Sequence, residues 1–275
     1  MKRSGLSRTI VAIAMMLIGW LPSLAHDFEV DGVYYNKISS SNVEVSCKGS
    51  PEYEDEYEDV YLDHIVIPSS VNYNGRTYRV TSIGDYAFYR CYSLTSVVIP
   101  NSVTRIGEKA FTFCGSLTSI EIPNSVKSIG DEAFDSCSGL TSIEIPNSVT
   151  SIGRLAFSCC SSLTSVVIPN SVTSVGSYAF SCCENLTSIE IAGSVKSIGA
   201  GAFSGCESLT KITCWSTTPP EIKSDIYDDY FESIFPDHSI DFYVPAGCKA
   251  TYKSSEYWMN LNIIELPSSA TYEHP

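Results

Sequence analysis

The chain has 275 residues, 44% hydrophobic and 17% charged, with 31 acidic side chains against 17 Lys and Arg for a formal net charge of −14. A chain this acidic repels polyanions, which disfavours nucleic acid and anionic membrane surfaces as partners. The charge is concentrated at the ends: 11 acidic against 2 basic side chains in residues 27–64 and 10 against 3 in 221–275, with 10 against 9 between them.

The chain opens with Lys2, Arg3 and Arg8, then runs apolar from Ile10 to Ile18, with small residues at Ser23 and Ala25. That is the layout of a secretory signal peptide, residues 1–25, with cleavage expected between Ala25 and His26. Ile10 to Trp20 covers 11 residues, short of the ~20 that a spanning helix needs. The expectation is a secreted or outer-surface protein with no membrane insertion after signal cleavage. Residues 26–60 read as an N-terminal β cap. Asp31-Gly32 joins Phe28-Glu29-Val30 to Val33-Tyr34-Tyr35 as a hairpin, and Asn42 to Ser46 adds a strand. Leu62, Ile65 and Ile67 form a degenerate first rung ending at Pro68, and Asn74-Gly75 marks an inserted hairpin before Val80.

From there a repeat dominates. Phe88, Phe111, Phe134, Phe157, Phe180 and Phe203 recur every 23 residues, as do Cys91, Cys114, Cys137, Cys160, Cys183 and Cys206. Gly84, Gly107, Gly130, Gly153, Gly176 and Gly199 keep the same step. Such self-similarity predicts a solenoid whose units bury their faces on one another. In one unit, Leu117, Ile120 and Ile122 turn inward from a short strand while Thr118, Ser119 and Glu121 face out. Pro123 ends the strand and Pro-Asn-Ser turns the chain. Val126 and Ile129 return inside, Gly130 supplies a bend that a side chain would obstruct, and Ala133, Phe134 and Cys137 line the far wall. The predicted class is a β-rich repeat solenoid, a leucine-rich-repeat superhelix of 23-residue units over 61–215 with N- and C-terminal β caps. The unit I-G-x-x-A-F-x-x-C-x-x-L-T-S-I-x-I-P-N-S-V resembles the BspA-like leucine-rich repeats of bacterial surface proteins over about residues 60–215. The resemblance implies adhesion to host matrix proteins, other cells or mucosal surfaces, and it brings no binding residue with it.

The pattern breaks after Trp215, and residues 216–275 read as a C-terminal cap. Thr218-Pro219-Pro220 links to a last rung at Ile240, Phe242 and Val244. Lys249 to Trp258 reads as a short helix and Ile263 to Leu266 as a closing strand.

Eleven cysteines in an exported chain raise disulfides. The column on the 23-residue step reads as a reduced, buried ladder beside the Phe column. Cys159 and Cys182 precede that column by one residue and stack on each other, which makes them the candidate disulfide. A four-cysteine zinc site at the two doublets is disfavoured because stacked side chains do not converge tetrahedrally. No metal or other cofactor is expected, and no catalytic residue. The motifs of metalloproteases, α/β-hydrolases, P-loop and dinucleotide enzymes are absent from the sequence. Of the histidines His26, His64, His238 and His274, none lies near the repeat cysteines in sequence phase.

Three candidates for binding remain. The outward strand column runs Val66, Val98, Glu121, Glu144, Val167, Glu190, Thr213, beside a Thr-Ser track ending in Lys211. It reads either as a contact face or as a solvated β surface. Tyr86, Tyr89, Arg90, Tyr92 and Phe113 replace the Ser, Asp or Gly of later rungs. They form either an aromatic contact patch or packing beneath the Asn74-Gly75 hairpin. Asp225, Asp228, Asp229, Tyr230, Glu232 and Asp237 make an acidic loop that reads as solvated rather than calcium-binding. The expected function is adhesion-like binding of an extracellular protein or glycan. The alternative is a structural spacer that self-associates.

Overall fold

The computed structural model describes residues 26–48, 61, 63–224, 234–235 and 239–272. The expected leader at 1–25, Leu62, the six residues of the acidic loop, His238 and His274 lie outside them.

Asp31 and Gly32 take φ of 51° and 78°, the twist a two-residue hairpin needs, and join β1 (Phe28–Val30) to β2 (Val33–Lys37). β3 (Asn42–Ser46) lies antiparallel to β2. β4 (Asp63–Val66) begins the repeat, with Ile65 half-buried and Ile67 buried. Asn74 and Gly75, φ 51° and 75°, then join β5 (Ser70–Tyr73) to β6 (Arg76–Ile83) in the second hairpin.

Each later rung contributes a strand to one wall, and most contribute another to a second wall. One wall holds β8 (Arg105–Ile106), β9 (Ser128–Ile129), β10 (Ser151–Ile152), β12 (Ser174–Val175) and β14 (Ser197–Gly199). They follow β3 and β6 in parallel, and with the N-terminal hairpins they belong to an 11-stranded sheet. Ser128 pairs with Ser151, Ser151 with Ser174 and Ser174 with Ser197. The other wall holds the L-x-x-L-x-L residues. There β7 (Leu94–Val98) pairs with β4, and β11 (Ser165–Ile168), β13 (Ser188–Ile191), β15 (Lys211–Cys214), β17 (Asp241–Val244) and β18 (Asn262–Glu265) form a five-stranded parallel sheet. Between the walls, each Pro carbonyl of Pro-Asn-Ser accepts the N–H of the Val three residues on, as from Val126 to Pro123 at 2.9 Å. Ser148 and Ser194 donate their hydroxyls back to Val126 and Val172 of the preceding rung.

The third wall has no strands, yet it is hydrogen-bonded from rung to rung. Phe111 N–H donates to Ala133 O and Phe113 N–H to Asp135 O, and the same pattern runs from Tyr86 to Cys182. It requires two residues per rung at positive φ: Tyr86 and Arg90, Lys109 and Phe113, Glu132 and Ser136, Leu155 and Cys159, Tyr178 and Cys182. Only the sixth rung has glycine at both, Gly201 and Gly205. The left-handed region costs a non-glycine residue about 1–2 kcal/mol, so this wall holds strain that the stacked core offsets.

That core is a column of rings. From Phe88 to Phe180 successive centroids are 4.9, 5.0, 5.2 and 5.3 Å apart, with planes within 7°. Tyr61 covers the N-terminal end, and Phe203 and Phe235 continue the stack toward Trp258. All six repeat Phe are fully buried, and each contributes roughly 1.5–3 kcal/mol of burial. Beside them the cysteine column acts as a line of donors. Cys114, Cys137, Cys160, Cys183 and Cys206 each give the thiol proton to the carbonyl of the Phe one rung earlier, at 3.0–3.3 Å. All eleven cysteines are thiols in the structure.

The glycine column leaves no room for a side chain, as expected, and the obstruction comes from the stacking rather than from a bend. Gly107, Gly130, Gly153, Gly176 and Gly199 do not occupy the positive-φ region, so they do not supply a special bend. A Cβ on Gly130 would instead lie 2.7 Å from Gly107 C, and one on Gly199 2.2 Å from Ser177 N. Glycine is there because the backbone of one rung lies directly on that of the last.

The strand ladder also runs past residue 215. β16 (Glu221–Lys223) pairs with β14, and Phe235 takes the next place in the ring stack. The helix is shorter than predicted: α1 is Lys249–Lys253, with buried Tyr252 and nearby Trp258 closing on Phe242. From β18 the chain turns back, and Tyr272 donates to Ile168 O at 3.2 Å.

Candidate binding surfaces

On the outward strand face the register places Val66 opposite Val98, and Val167, Glu190, Thr213, Tyr243 and Ile264 in one row. Residues 117–122 and 140–145 keep their Leu and Ile buried but form no strand. The interruption coincides with Glu121 and Glu144 on consecutive rungs. Like charges directly opposite weaken a ladder, whereas the intact sheet alternates Val167, Glu190 and Thr213. A shallow cleft of about 610 Å³ lies here, lined by Ser96, Asn101, Ser119, Glu121, Asn124, Ser142 and Glu144, with Ile120, Ile122, Pro123 and Pro146 beneath. It joins two acidic side chains to amide and hydroxyl groups.

The predicted column therefore divides. Val66 and Val98 are 59% and 49% exposed, and Glu121 and Glu144 face the cleft. Val167 is half-buried. Glu190 is already engaged: it accepts a 2.7 Å hydrogen bond from Trp215 Nε1, and Tyr272 packs edge-on against that indole. Burial and the Glu190 charge push the Tyr272 phenol up to about 12. Lys211 at the end of the track sits 5.3 Å over the Tyr243 ring. No repeat signal marks this strap, because it joins Trp215, the last residue before the pattern breaks, to Tyr272 far outside it. His64 on β4 is exposed, with Nδ1 2.5 Å from Ser96 Oγ.

The aromatic candidates lie on the third wall, where the positive-φ ladder fixes their directions. Tyr89 packs edge-on against both Tyr86 and Phe113, with centroids 5.6 and 5.9 Å away. The Arg90 guanidinium lies 5.2 Å from the Tyr89 ring and 5.8 Å from Phe113. Lys109 Nζ is 5.5 Å from the Tyr86 ring and 3.5 Å from Glu132. Burial would lower the Lys109 ammonium, but Glu132, Tyr86 and Glu108 outweigh it and hold its pKa up. Tyr92 is 53% exposed and the other four are half-buried. The hairpin at Asn74-Gly75 packs elsewhere: its Tyr73 and Tyr78 lie against Phe28, and Lys37 sits over Tyr73. Sequence reasoning missed Lys109, Glu132 and Glu108 at this site. Their positions in the repeat, one and two rungs along from the tyrosines, were the available signal.

Two strand walls, a turn wall and a stacked apolar centre define a leucine-rich-repeat solenoid. The model of the BspA type Leucine rich repeat region matches residues 53–183, 81–210 and 128–243, in six copies. The chain belongs to that family. Its structure is similar to that of a leucine-rich repeat protein of T. pallidum, at 28% identity and a TM-score of 0.55, covering 80% of this chain and 86% of that one. It is equally similar to a leucine rich cell surface protein of Faecalibacterium prausnitzii A2-165, at 28% identity and TM-score 0.55, covering 79% and 70%. No curated protein matches. Among the described residues no helix is long and apolar enough to cross a membrane, and no group of three or more His, Cys, Asp or Glu is placed to hold a metal ion.

Proposed function

We propose that the protein is an exported, non-catalytic binding module of the bacterial surface, adhesin-like, whose partner is an extracellular protein or glycan. The observation that carries this reading is the cluster of Tyr86, Tyr89, Arg90, Tyr92 and Phe113. Elsewhere this wall carries mostly small or short side chains, and here Tyr92 stands 53% exposed beside four half-buried side chains. Rings and a guanidinium held rigidly by backbone bonds lose little conformational entropy when a partner docks, and such residues dominate contact energetics. The family match and the surface-protein neighbour support the location. The signal-peptide layout of residues 1–25 supports export. A second reading places the contact at the cleft of Glu121 and Glu144, where acidic and amide groups would suit a cationic or hydroxyl-rich partner. The test is a binding screen of residues 26–275 against matrix proteins and a glycan array. A saturable hit supports the module. No hit from folded protein turns the account toward a self-associating structural spacer.

A further inference from the structure

Eight of the eleven cysteines are buried, and Cys248 stands alone beside α1; Cys159 is half-buried and Cys182 exposed. These two occupy the same position on consecutive rungs of the third wall. Cys159 N–H donates to Ser181 O at 2.8 Å and Cys182 N–H to Ser204 O at 2.7 Å, with φ of 53° and 54°. Matching backbone aims both Cα–Cβ bonds the same way. Phe157 and Phe180, two residues before them on the same rungs, stack 5.3 Å apart, a spacing inside the ~4.4–6.8 Å Cα separation that a disulfide spans.

The column offers them no other partner. The equivalent residue is Ser136 on the rung before and Gly205 on the rung after. The adjacent Cys160 and Cys183 point inward and are engaged with the Phe134 and Phe157 carbonyls, out of reach of a reagent in solution.

We propose that Cys159 and Cys182 are a redox modification site that closes a disulfide between consecutive rungs on meeting an external disulfide, with Cys182 attacking first. The Cys182 thiolate attacks one sulfur of the external disulfide, forming a mixed disulfide and expelling one thiolate. The Cys159 thiolate then attacks Cys182 Sγ and expels the second. Two protein thiols are oxidised, one external disulfide is reduced to two thiols, and the two protons pass to those leaving groups. The bond staples the fourth rung to the fifth on the strained wall, where the chain otherwise relies on hydrogen bonds. Burial and the Cys159 neighbour push the Cys182 thiol up, so the exchange quickens as the pH rises.

The test exposes the fully reduced, folded protein to oxidised glutathione, blocks remaining thiols by alkylation and maps unreduced peptides by mass spectrometry. Expected is one cross-link, Cys159 to Cys182, with the protein lighter by two hydrogens and no retained glutathione. Cys159→Ser, checked for an unchanged circular dichroism spectrum, is expected to trap one glutathione on Cys182. Stable glutathione on Cys182 of the wild-type protein would overturn the proposal. So would two thiols that remain alkylatable, or a link from Cys182 to any other cysteine.

Discussion

Substituting Gly176 by Ala tests the idea that backbone contact between rungs sets this architecture. The added Cβ would lie 2.5 Å from Arg154 N and from Gly153 C and O, all main-chain atoms that no rotamer change can move. Ordinary contact begins near 3.4 Å, so the two rungs must part locally by roughly 1 Å in a close-packed interior. The Gly176 N–H to Ile152 O bond, 2.9 Å long, would then stretch past the hydrogen-bonding limit. Losing it costs about 1 kcal/mol, and overpacking adds about 1–3 kcal/mol. The sum, about 2–4 kcal/mol, corresponds to a fall in melting temperature of roughly 5–15 °C for a domain of this size. Gly115→Ala is the control, because its Cβ would meet only Ser138 Oγ at 3.4 Å. Thermal unfolding followed by circular dichroism compares the two variants. Equal melting temperatures would refute the reasoning, since the same substitution would then cost the same with and without a backbone in the way.

Cys137→Ala removes a buried thiol that donates to Phe111 O at 3.1 Å; a loss of about 1–2 kcal/mol in urea unfolding is expected. Burial, above all, raises the Glu44 and Asp135 carboxyls. Their folded pKa values exceed the unfolded ones, so each favours folding below its unfolded pKa and loses that contribution as the pH rises through the folded value. Asp135→Asn is therefore expected to raise the urea midpoint at pH 7 and to flatten its pH dependence across the carboxylate range; an unchanged slope contradicts this. Replacing Glu121 and Glu144 together by Thr removes facing like charges and is expected to close the strand ladder, read as slowed amide exchange at residues 119–122 and 142–145.

The fold was legible to the extent that it depends on period. Residues 23 apart are neighbours by construction, so Phe134 could be placed against Phe157, and the Asp31-Gly32 and Asn74-Gly75 turns followed from the φ those residues tolerate. What the pattern left out depends on distances and dihedrals. The glycine column looks the same whether it serves a bend or a close approach, and only the Cβ positions separate the two. The positive φ at Leu155 or Phe113 has no compositional signature, because the stack imposes it. β16 and Phe235 escaped because the segment between Phe203 and Phe235 is longer than a repeat, so the period fails while the stacking continues. At the candidate surfaces, departure from the consensus identified Tyr86, Tyr89 and Phe113, but the cleft depends on strands failing to pair, and Glu190 is engaged by Trp215 at the point where the repeat ends.

The most direct test of the binding account is to measure a hit from the screen, by surface plasmon resonance, against two variants of verified fold. One changes Tyr89 and Phe113 to Ser; the other changes Glu121 and Glu144 to Ser. The account predicts at least a tenfold loss of affinity, about 1.4 kcal/mol, in the aromatic variant and little change in the acidic one. Full affinity in the aromatic variant with loss in the acidic one would contradict it and place the site on the strand face.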